Sequence, residues 1–435
     1  MHIHKLKLTN FRGLYNTEFL FHPNFNLIVG INGAGKTSVL DAIRILISQI
    51  SPQITLSPRY SLGFEENDIM FGQPMMSANI GFDCHGIQFD YTVQKNREQF
   101  VVNKDKDEQL EKVKLRNQTT STPDKSILTA NINPIPFKQL KKKDSQPIAV
   151  YFSTRRSWAS EERSNSPEGI KAAYYKALTI DRGLRIQDFV DWWKIKEAFS
   201  IEVPNSKSNR QLQAVIQALE KFMPSPHYSN WRLEGDKVYV TKNTEISIFV
   251  VSLLKRGELS IHQLSEGERS LIVLVFELAR RLAQANPESD DPISTGEGIV
   301  LIDELDLHLH PTWQRKVVHD LKRTFPKIQF FATTHSPQII GEVQADEVIL
   351  LRNGGTEKQS QTFGMDSNWV LKHIMGGADR NAEVATKLDT IFELIEEDNF
   401  NEARKLIDAL RAEIGEHPSL VRAETIIDRY TRIGE

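Results

Sequence analysis

Apolar residues near the N-terminus follow strand patterns. Three short segments predict strands: 5–8, 15–21 and 25–29. Between residues 78 and 94, apolar positions alternate on both sides of His85-Gly86, which predicts a β-hairpin. Residues 38–47 instead carry apolar side chains at helical spacing, so a helix is expected directly after the third strand.

Helix and strand patterns alternate along the rest of the chain. Helices are expected over most of 166–222, from Ser265 to about Ala285, and at 381–396, 401–414 and 418–433. Strands are expected at 147–152, 231–254, 299–302, 330–333 and 347–351. The stretch 103–145 is polar and lysine-rich without a sustained period, and we interpret it as an excursion from the core that is mobile at least in part.

Composition narrows the classes of protein to consider. The 435 residues suffice for two or three domains, at about 150 residues per domain. A formal net charge of −3 provides no overall basic field for nucleic acid, so any contact with DNA needs a local basic patch. The densest basic run is either a solvated face or such a contact with phosphates: Lys138, Lys141, Lys142 and Lys143.

Cysteine content and hydropathy indicate the compartment. The single cysteine, Cys84, excludes an internal disulfide and fits a reducing environment. The N-terminal residues lack the apolar segment of a signal peptide, and the longest apolar run is too short to span a bilayer. We therefore expect a cytoplasmic protein without a membrane partner.

The strongest chemical signal is a glycine-rich loop between the third strand and the following helix. Residues 30–37 read G-x-x-x-x-G-K-T, the pattern of a loop that binds nucleotide phosphates. Its glycines allow backbone N–H groups to converge on phosphate oxygens at a helix N-terminus, which favours anions. We expect Lys36 to reach the β- and γ-phosphates of ATP and the Thr37 hydroxyl to ligate Mg²⁺. The expected nucleotide contacts are Asn32, Gly33, Ala34, Gly35, Lys36, Thr37 and Ser38.

An acidic pair downstream predicts the second half of this site. The apolar strand 299–302 is followed by Asp303 and Glu304. An all-apolar strand is typical of a parallel sheet covered on both faces, and ligands bind at the C-terminal ends of such strands. Asp303 would hold Mg²⁺ and Glu304 would act as general base toward the attacking water. The alternative interpretation is an acidic loop after a strand.

Residues 264–268, Leu-Ser-Glu-Gly-Glu, precede a strongly apolar helix and resemble the signature motif of ABC-type ATPases, in the form found in SMC-, RecF- and OLD-like proteins. In this superfamily the signature of one subunit completes the phosphate site of another. The resemblance therefore implies a homodimer that sandwiches ATP, with Ser265, Gly267 and Glu268 at the shared site. The alternative is plain helix capping by Ser265, with Glu268 as its capping-box partner.

Three further positions carry the same resemblance. Asp306 lies where the superfamily has its D-loop, which touches the partner subunit. His335, at the end of the next predicted core strand, matches the switch histidine that contacts the γ-phosphate. Arg12, within Asn10-Phe11-Arg12-Gly13, matches an arginine that lies near the nucleotide in SMC- and RecF-like proteins. For Arg12 an ordinary surface arginine is the alternative.

Other motifs indicate a branch of the superfamily. Residues 303–311 resemble OLD-like ATPases, but the metal-binding acids of a Toprim domain are missing after His335, so no intrinsic nuclease is expected. Residues 362–376 and the helices after them resemble the PtuA-type ATPase family of Septu and retron-associated anti-phage defence systems. That resemblance implies a partner, an HNH endonuclease of PtuB type. An apolar stripe in the tail either docks on such a partner or packs within its own core: Leu388, Ile391, Phe392 and Ile395.

These features predict an α/β fold with an ABC-type P-loop ATPase head. Residues 1–100 and 231–360 are expected to form the two halves of the head, 101–230 an internal helical and β insertion, and 361–435 a helical interaction tail. ATP and Mg²⁺ are the expected cofactors, and nucleotide state is expected to control the partner nuclease. Three alternatives stay open: a RecF- or SMC-like repair ATPase that acts directly on DNA, a non-hydrolysing ATP-sensing scaffold, and a transporter nucleotide-binding subunit.

Overall fold

The computed structural model divides the chain into two compact units, Met1–Ser367 and Asn368–Glu435. The residues it describes are 1–58, 62–97, 125–130, 141, 145–154, 169–179, 186–202, 207–223, 228–234, 237–248, 251–260, 263–378 and 380–433. Most of the stretch 103–145, the predicted helix start at Ser166-Pro167 and three lysines of the basic run lie outside them. Lys141 of that run is described, and its Nζ donates to the Pro52 carbonyl at 2.6 Å.

Most strands and helices of the described residues agree with the patterns in the sequence. The strands are β1 His2–Phe11, β2 Leu14–Leu20, β3 Phe25–Gly30, β4 Met75–Cys84, β5 Ile87–Asn96, β6 Lys125–Ala130, β7 Ile148–Phe152, β8 Tyr228–Glu234, β9 Lys237–Ile248, β10 Val251–Ser260, β11 Gly298–Ile302, β12 Ile328–Thr333, β13 Val348–Arg352 and β14 Gly355–Lys358. The helices are α1 Lys36–Ile54, α2 Ile186–Glu202, α3 Lys207–Phe222, α4 Glu266–Ala285, α5 Pro292–Thr295, α6 Pro311–Gln314, α7 Val317–Thr324, α8 Pro337–Ile340, α9 Ser367–His373, α10 Ala382–Glu396, α11 Phe400–Ile414 and α12 Pro418–Ile433. Strand β6 is a correction, because it lies within 103–145, which was predicted as an excursion from the core, and β14 was not predicted.

A mostly parallel sheet brings the predicted core strands together. Its order is β14-β13-β3-β12-β11-β7, with β14 antiparallel to β13 and the other neighbours parallel. Strands β3, β11 and β12 are buried along their whole length, as expected for strands covered on both faces. Because parallel strands end at the same edge, the residues after β3, β11 and β12 meet at the C-terminal edge of this sheet.

A second, antiparallel sheet lies over the helix that follows the phosphate loop. Its order is β2-β1-β4-β5-β6. Helix α1 shares one apolar core with both sheets, to which Leu6, Leu46 and Phe331 belong. The hairpin β4–β5 turns at His85 and Gly86, with φ of 55° and 78°. Two left-handed residues are what a type I′ turn requires, so the predicted hairpin is confirmed.

The range 101–230, predicted as an insertion, contributes strands to both sheets. Strand β6 pairs with β5, and β7 pairs in parallel with β11. Helices α2 and α3 follow, and α3 packs against α4. Strands β8, β9 and β10 form a separate antiparallel sheet in the order β10-β9-β8.

In the second unit, three of the described helices, α10, α11 and α12, surround a core of their own. The buried side chains of this core are Leu388, Ile391, Ile395, Ala403, Ile407, Leu410, Leu420, Ala423 and Ile427. Phe392 is partly buried against them. The three predicted helices are confirmed. Docking of the apolar stripe on a partner is wrong, because α11 and α12 cover that stripe within the tail.

Candidate nucleotide-binding site

The phosphate loop joins the end of β3 to the start of α1. Gly33 and Gly35 have φ of 80° and 100°, in the left-handed region that glycine enters without steric cost. At Gly30, a Cβ atom would lie 2.8 Å from the Leu351 carbonyl oxygen at the end of β13. The loop therefore lies close against the neighbouring strand. Asn32, Gly33 and Thr37 are exposed in it, and Ala34, Gly35 and Ser38 are half-buried.

The Lys36 ammonium lies within the loop. Its Nζ donates to the carbonyl oxygens of Gly30 at 2.8 Å and Ile31 at 3.1 Å. Burial lowers the pKa of Lys36, while the carboxylates of Asp303 and Glu304 act in the opposite direction. A cation held at this point is suited to phosphate oxygens.

The hydroxyl of Thr37 and the carboxylate of Asp303 face each other across the loop. Thr37 Oγ1 is 3.4 Å from Asp303 Oδ1 and 3.3 Å from Oδ2. Asp303 itself is almost completely buried. Mg²⁺ prefers hard oxygen ligands and usually binds through one or two protein groups together with phosphates and water. The two side chains therefore fit the predicted metal site.

Glu304 follows Asp303 in an uncommon backbone conformation. Its φ is 50°, in the left-handed region that non-glycine residues rarely enter. The Glu304 N–H donates to Thr333 Oγ1 at 2.7 Å, and the Thr333 hydroxyl donates to Asp303 Oδ1 at 2.6 Å. The side chain of Glu304 is half-buried. One threonine, for which no motif in the sequence predicts a role, thus contacts both residues of the acidic pair.

The residues predicted as D-loop acid and switch histidine, Asp306 and His335, are also connected. Asp306 Oδ1 accepts hydrogen bonds from the Thr334 hydroxyl at 2.6 Å and from the His335 N–H at 3.2 Å. Asp306 and His335 are both half-buried. The fold therefore brings Lys36, Asp303 and His335 to one edge of the sheet, although they are far apart in sequence.

Arg12 is tied to the first turns of α1. Its Nε donates to Asp68 Oδ1 at 2.9 Å, and its Nη1 donates to Asp41 Oδ2 at 2.9 Å and to Ser38 Oγ at 3.3 Å. The guanidinium is therefore a partly buried group with specific partners beside the phosphate loop. Asp41 and Asp68 could not be identified from the sequence pattern, because their contact with Arg12 depends on how β1 lies against α1.

The signature residues form the N-terminal end of α4. The backbone N–H of Ser265 donates to Glu268 Oε2 at 2.9 Å, and the Glu268 N–H donates to Ser265 Oγ at 3.3 Å. This reciprocal pair is the capping box that the sequence offered as an alternative, and its geometry is confirmed. A Cβ atom at Gly267 would lie 2.5 Å from the His308 carbonyl oxygen. The signature turn therefore packs directly against the D-loop of the same chain, and Ser265 remains exposed.

The chain has identifiable relatives. Residues 25–341 match the family described as "AAA domain, putative AbiEii toxin, Type IV TA system". The chain is 28% identical to the "Retron Ec83 probable ATPase" of Escherichia coli, over 87% of this chain and 77% of that protein. It is 23% identical to the "Septu protein PtuA" of Bacillus thuringiensis, over 96% of this chain and 94% of that protein. The predicted resemblance to PtuA-type ATPases is confirmed by these relatives.

A solved structure is also similar. The SMC head domain from Thermotoga maritima matches with a TM-score of 0.45 and 14% identity, over 83% of this chain and all of that one. None of the helices in the described part of the chain combines the length and apolar character that a membrane span requires.

Proposed function

This chain belongs to the family described as "AAA domain, putative AbiEii toxin, Type IV TA system", and on that premise we propose that it binds and hydrolyses ATP with Mg²⁺. The observation that carries the proposal is the convergence of three groups at one sheet edge. Lys36 lies within the glycine loop, and Thr37 faces Asp303 at 3.3 Å. The expected general base of the catalytic step, Glu304, follows Asp303 directly.

Each group has a part in the proposed reaction. Lys36 and the backbone N–H groups of the loop bind the β- and γ-phosphates, at a helix N-terminus that favours negative charge. Thr37 and Asp303 would hold Mg²⁺, and the bound ion would offset the negative charge of the phosphates. Glu304 accepts a proton from the attacking water, a general-base contribution of about 10²–10⁴ in rate. His335 donates to the γ-phosphate as its charge develops.

The signature end of α4 supports a shared site between two copies of the chain. Ser265 and Glu266 are exposed at the N-terminus of a 20-residue helix, where the aligned peptide dipoles favour an anion. We propose that Ser265 and Gly267 of one copy face the γ-phosphate bound at Lys36 of the other. Asp306 lies beside this surface, because the D-loop packs against Gly267.

The relatives named for Septu and for retrons support a role in anti-phage defence. We propose that the nucleotide-bound dimer controls a partner HNH endonuclease of PtuB type in the cytoplasm, and that the chain has no nuclease centre of its own. Since the apolar stripe of the tail is buried, such a partner would contact other surfaces of the protein. Contact with DNA through a local basic patch is a secondary proposal, beside the nuclease as the main partner.

A substitution of the proposed base tests hydrolysis. Glu304→Gln keeps the shape of the side chain but removes its capacity to accept a proton. We expect phosphate release to fall about 10²–10⁴-fold, while ATP binding persists and an ATP-dependent dimer accumulates in size-exclusion chromatography with light scattering. Unchanged turnover would contradict the assignment of the base. Wild-type protein that binds ATP without releasing phosphate would instead favour a sensing scaffold.

A mixing experiment tests the shared site. Lys36→Ala destroys the phosphate loop, and Ser265→Arg blocks the signature end, so each variant alone should form no intact site. In a mixed dimer, the Lys36 of one copy meets the Ser265 of the other, and one composite site is restored. Recovery of phosphate release on mixing would support sites shared between subunits. Activity of Ser265→Arg alone, equal to that of the wild type, would contradict them.

A further inference from the structure

Strand β12 ends at Thr333, Thr334 follows it directly, and each of the two threonines contacts a different acid of the site. We propose that Thr333 is a positioning residue for the Mg²⁺ site. Its single hydroxyl fixes the orientation of the Asp303 carboxylate and the backbone of Glu304. Thr334 is its counterpart for the D-loop acid, Asp306. The inference deepens the proposed ATPase function and rests on it.

The register of the sheet places Thr333 beside Asp303. Ile302 pairs with Ala332 in the parallel ladder of β11 and β12, so the residues that follow each of them are neighbours as well. Side chains at matching positions of neighbouring strands point to the same face. Thr333 and Asp303 are both buried, and Thr333 Oγ1 donates to Asp303 Oδ1 at 2.6 Å. A short hydrogen bond between buried groups holds the carboxylate in one orientation.

The same hydroxyl also fixes the next residue. Thr333 Oγ1 accepts the Glu304 N–H at 2.7 Å. A threonine hydroxyl has one proton to donate and lone pairs to accept, so both of these contacts can exist together. Glu304 has a left-handed backbone, with φ of 50°, which needs support from its surroundings. The direction in which the Glu304 side chain extends from the backbone therefore depends on Thr333.

Thr334 has the same chemistry one position further along the chain. Its hydroxyl donates to Asp306 Oδ1 at 2.6 Å and accepts the Ser336 N–H at 2.9 Å. The two adjacent hydroxyls therefore reach two different acids. Thr334 is thus a matched control within the chain, since it differs from Thr333 in the acid that it contacts.

Loss of the Thr333 hydroxyl should act on the metal site without removing a ligand. In Thr333→Val the side-chain shape is kept, but Asp303 loses a donor and the Glu304 N–H loses its acceptor. A buried polar group without its partner destabilises the native arrangement. Outer partners of metal ligands typically change metal affinity or activity by about 10–100-fold when they are removed.

The test measures how nucleotide binding and phosphate release depend on Mg²⁺ concentration. The probe for binding is a fluorescent ATP analogue titrated with MgCl₂. We expect Thr333→Val to raise the half-saturating Mg²⁺ concentration about 10–100-fold. Thr333→Ser keeps the hydroxyl and should return this value to near that of the wild type. Thr334→Val should leave the Mg²⁺ half-saturation unchanged, and nucleotide binding in EDTA should be equal for all variants.

Several outcomes would overturn the inference. These are an unchanged Mg²⁺ half-saturation in Thr333→Val, an equal shift in Thr334→Val, or failure of Thr333→Ser to restore the wild-type value. If circular dichroism shows that Thr333→Val does not fold, Thr333→Cys replaces it in the test, because a thiol is a weak hydrogen-bond donor. Its half-saturating Mg²⁺ concentration should then be higher than that of the wild type and of Thr333→Ser, by less than the about 10–100-fold expected for complete loss of the hydroxyl. A wild-type protein that binds nucleotide but releases no phosphate would contradict the hydrolytic function alone, since the Mg²⁺ dependence of binding still decides the role of Thr333. A wild-type protein that binds no nucleotide would contradict both.

Discussion

The nucleotide site takes its residues from segments far apart in the chain, whereas the core of the C-terminal helices comes entirely from residues 388–427. Thr37 and Asp303 are 266 positions apart and meet through the register of buried strands. The site uses hydrogen bonds and a left-handed backbone at Glu304, while the tail uses apolar packing between regular helices. A substitution in the site should therefore change ATP binding or hydrolysis with little effect on stability. A substitution in the tail core should lower the stability of the tail with little effect on the nucleotide site.

The largest effect is expected in the tail core. Ile391→Ala removes a fully buried side chain, which typically costs about 2–5 kcal/mol of stability. Hydrogen exchange followed by mass spectrometry should show loss of protection across α10, α11 and α12, with the phosphate-loop peptides unchanged. Leu406→Ala, at a position that is 38% exposed, is the control and should have a small effect. Equal loss of protection in the phosphate loop would contradict the expectation that a substitution in the tail core leaves the nucleotide site unchanged.

Removal of the loop cation is expected to weaken ATP binding without unfolding the protein. Hydrogen bonds to charged groups contribute about 1.5–3 kcal/mol, so Lys36→Ala should raise the Kd for ATP about 10–100-fold. Fluorescence titration with an ATP analogue measures this change. Lys7→Ala, which removes an exposed lysine of β1, is the matched control. Equal affinity for ATP in the Lys36 and Lys7 variants would show that Lys36 does not contribute to ATP binding.

Substitutions at Ser265 separate capping from phosphate recognition. Ser265→Ala removes the N-cap of α4 and should cost about 0.5–2 kcal/mol, measured by urea denaturation. Asparagine caps helices as well as serine does, so Ser265→Asn should keep the stability. Ser265→Asp should also keep the cap but place a negative charge toward the phosphate, which weakens ATP-dependent dimerisation. If Asp and Asn variants dimerise equally well with ATP, Ser265 does not face the nucleotide.

The smallest effect concerns the backbone of Glu304. A left-handed conformation costs a residue with a Cβ atom about 1–2 kcal/mol relative to glycine, partly offset by the greater freedom of glycine in the unfolded chain. Glu304→Gly should therefore be more stable than Glu304→Ala by about 1 kcal/mol or less. Both variants lose hydrolysis because neither has a carboxylate. Equal unfolding midpoints in urea would show that this backbone is not strained.

The sequence predicted the tail more completely than any other region, because its signals are local. Asn381 caps α10 through its side chain, Gly415 ends α11 with φ of 77°, and Pro418 begins α12. The apolar stripe was visible, but periodicity indicates only that a face is buried and not what covers it. Which residues cover the stripe depends in part on α12, because the apolar face of this helix completes the core.

For the site, the sequence predicted the residues with motif spacing and missed those that support them. The glycine loop, Asp303 and Glu304 follow strands that could be predicted from apolar runs alone. Thr333 was missed because its role depends on the pairing of β11 with β12, a long-range register that no local pattern specifies. Asp41 and Asp68 were missed for a similar reason, since they become partners of Arg12 only when the antiparallel sheet lies over α1.

The close contact at Gly267 has a practical consequence for mutagenesis of the signature. Any side chain there, even the single methyl group of alanine, would collide with the His308 carbonyl and displace the start of α4 from the loop that carries Asp306. A defect in a Gly267 variant would thus arise inside each monomer, before two copies meet. Ser265, with its exposed side chain and a capping function that asparagine can replace, is the position at which recognition between copies can be altered on its own.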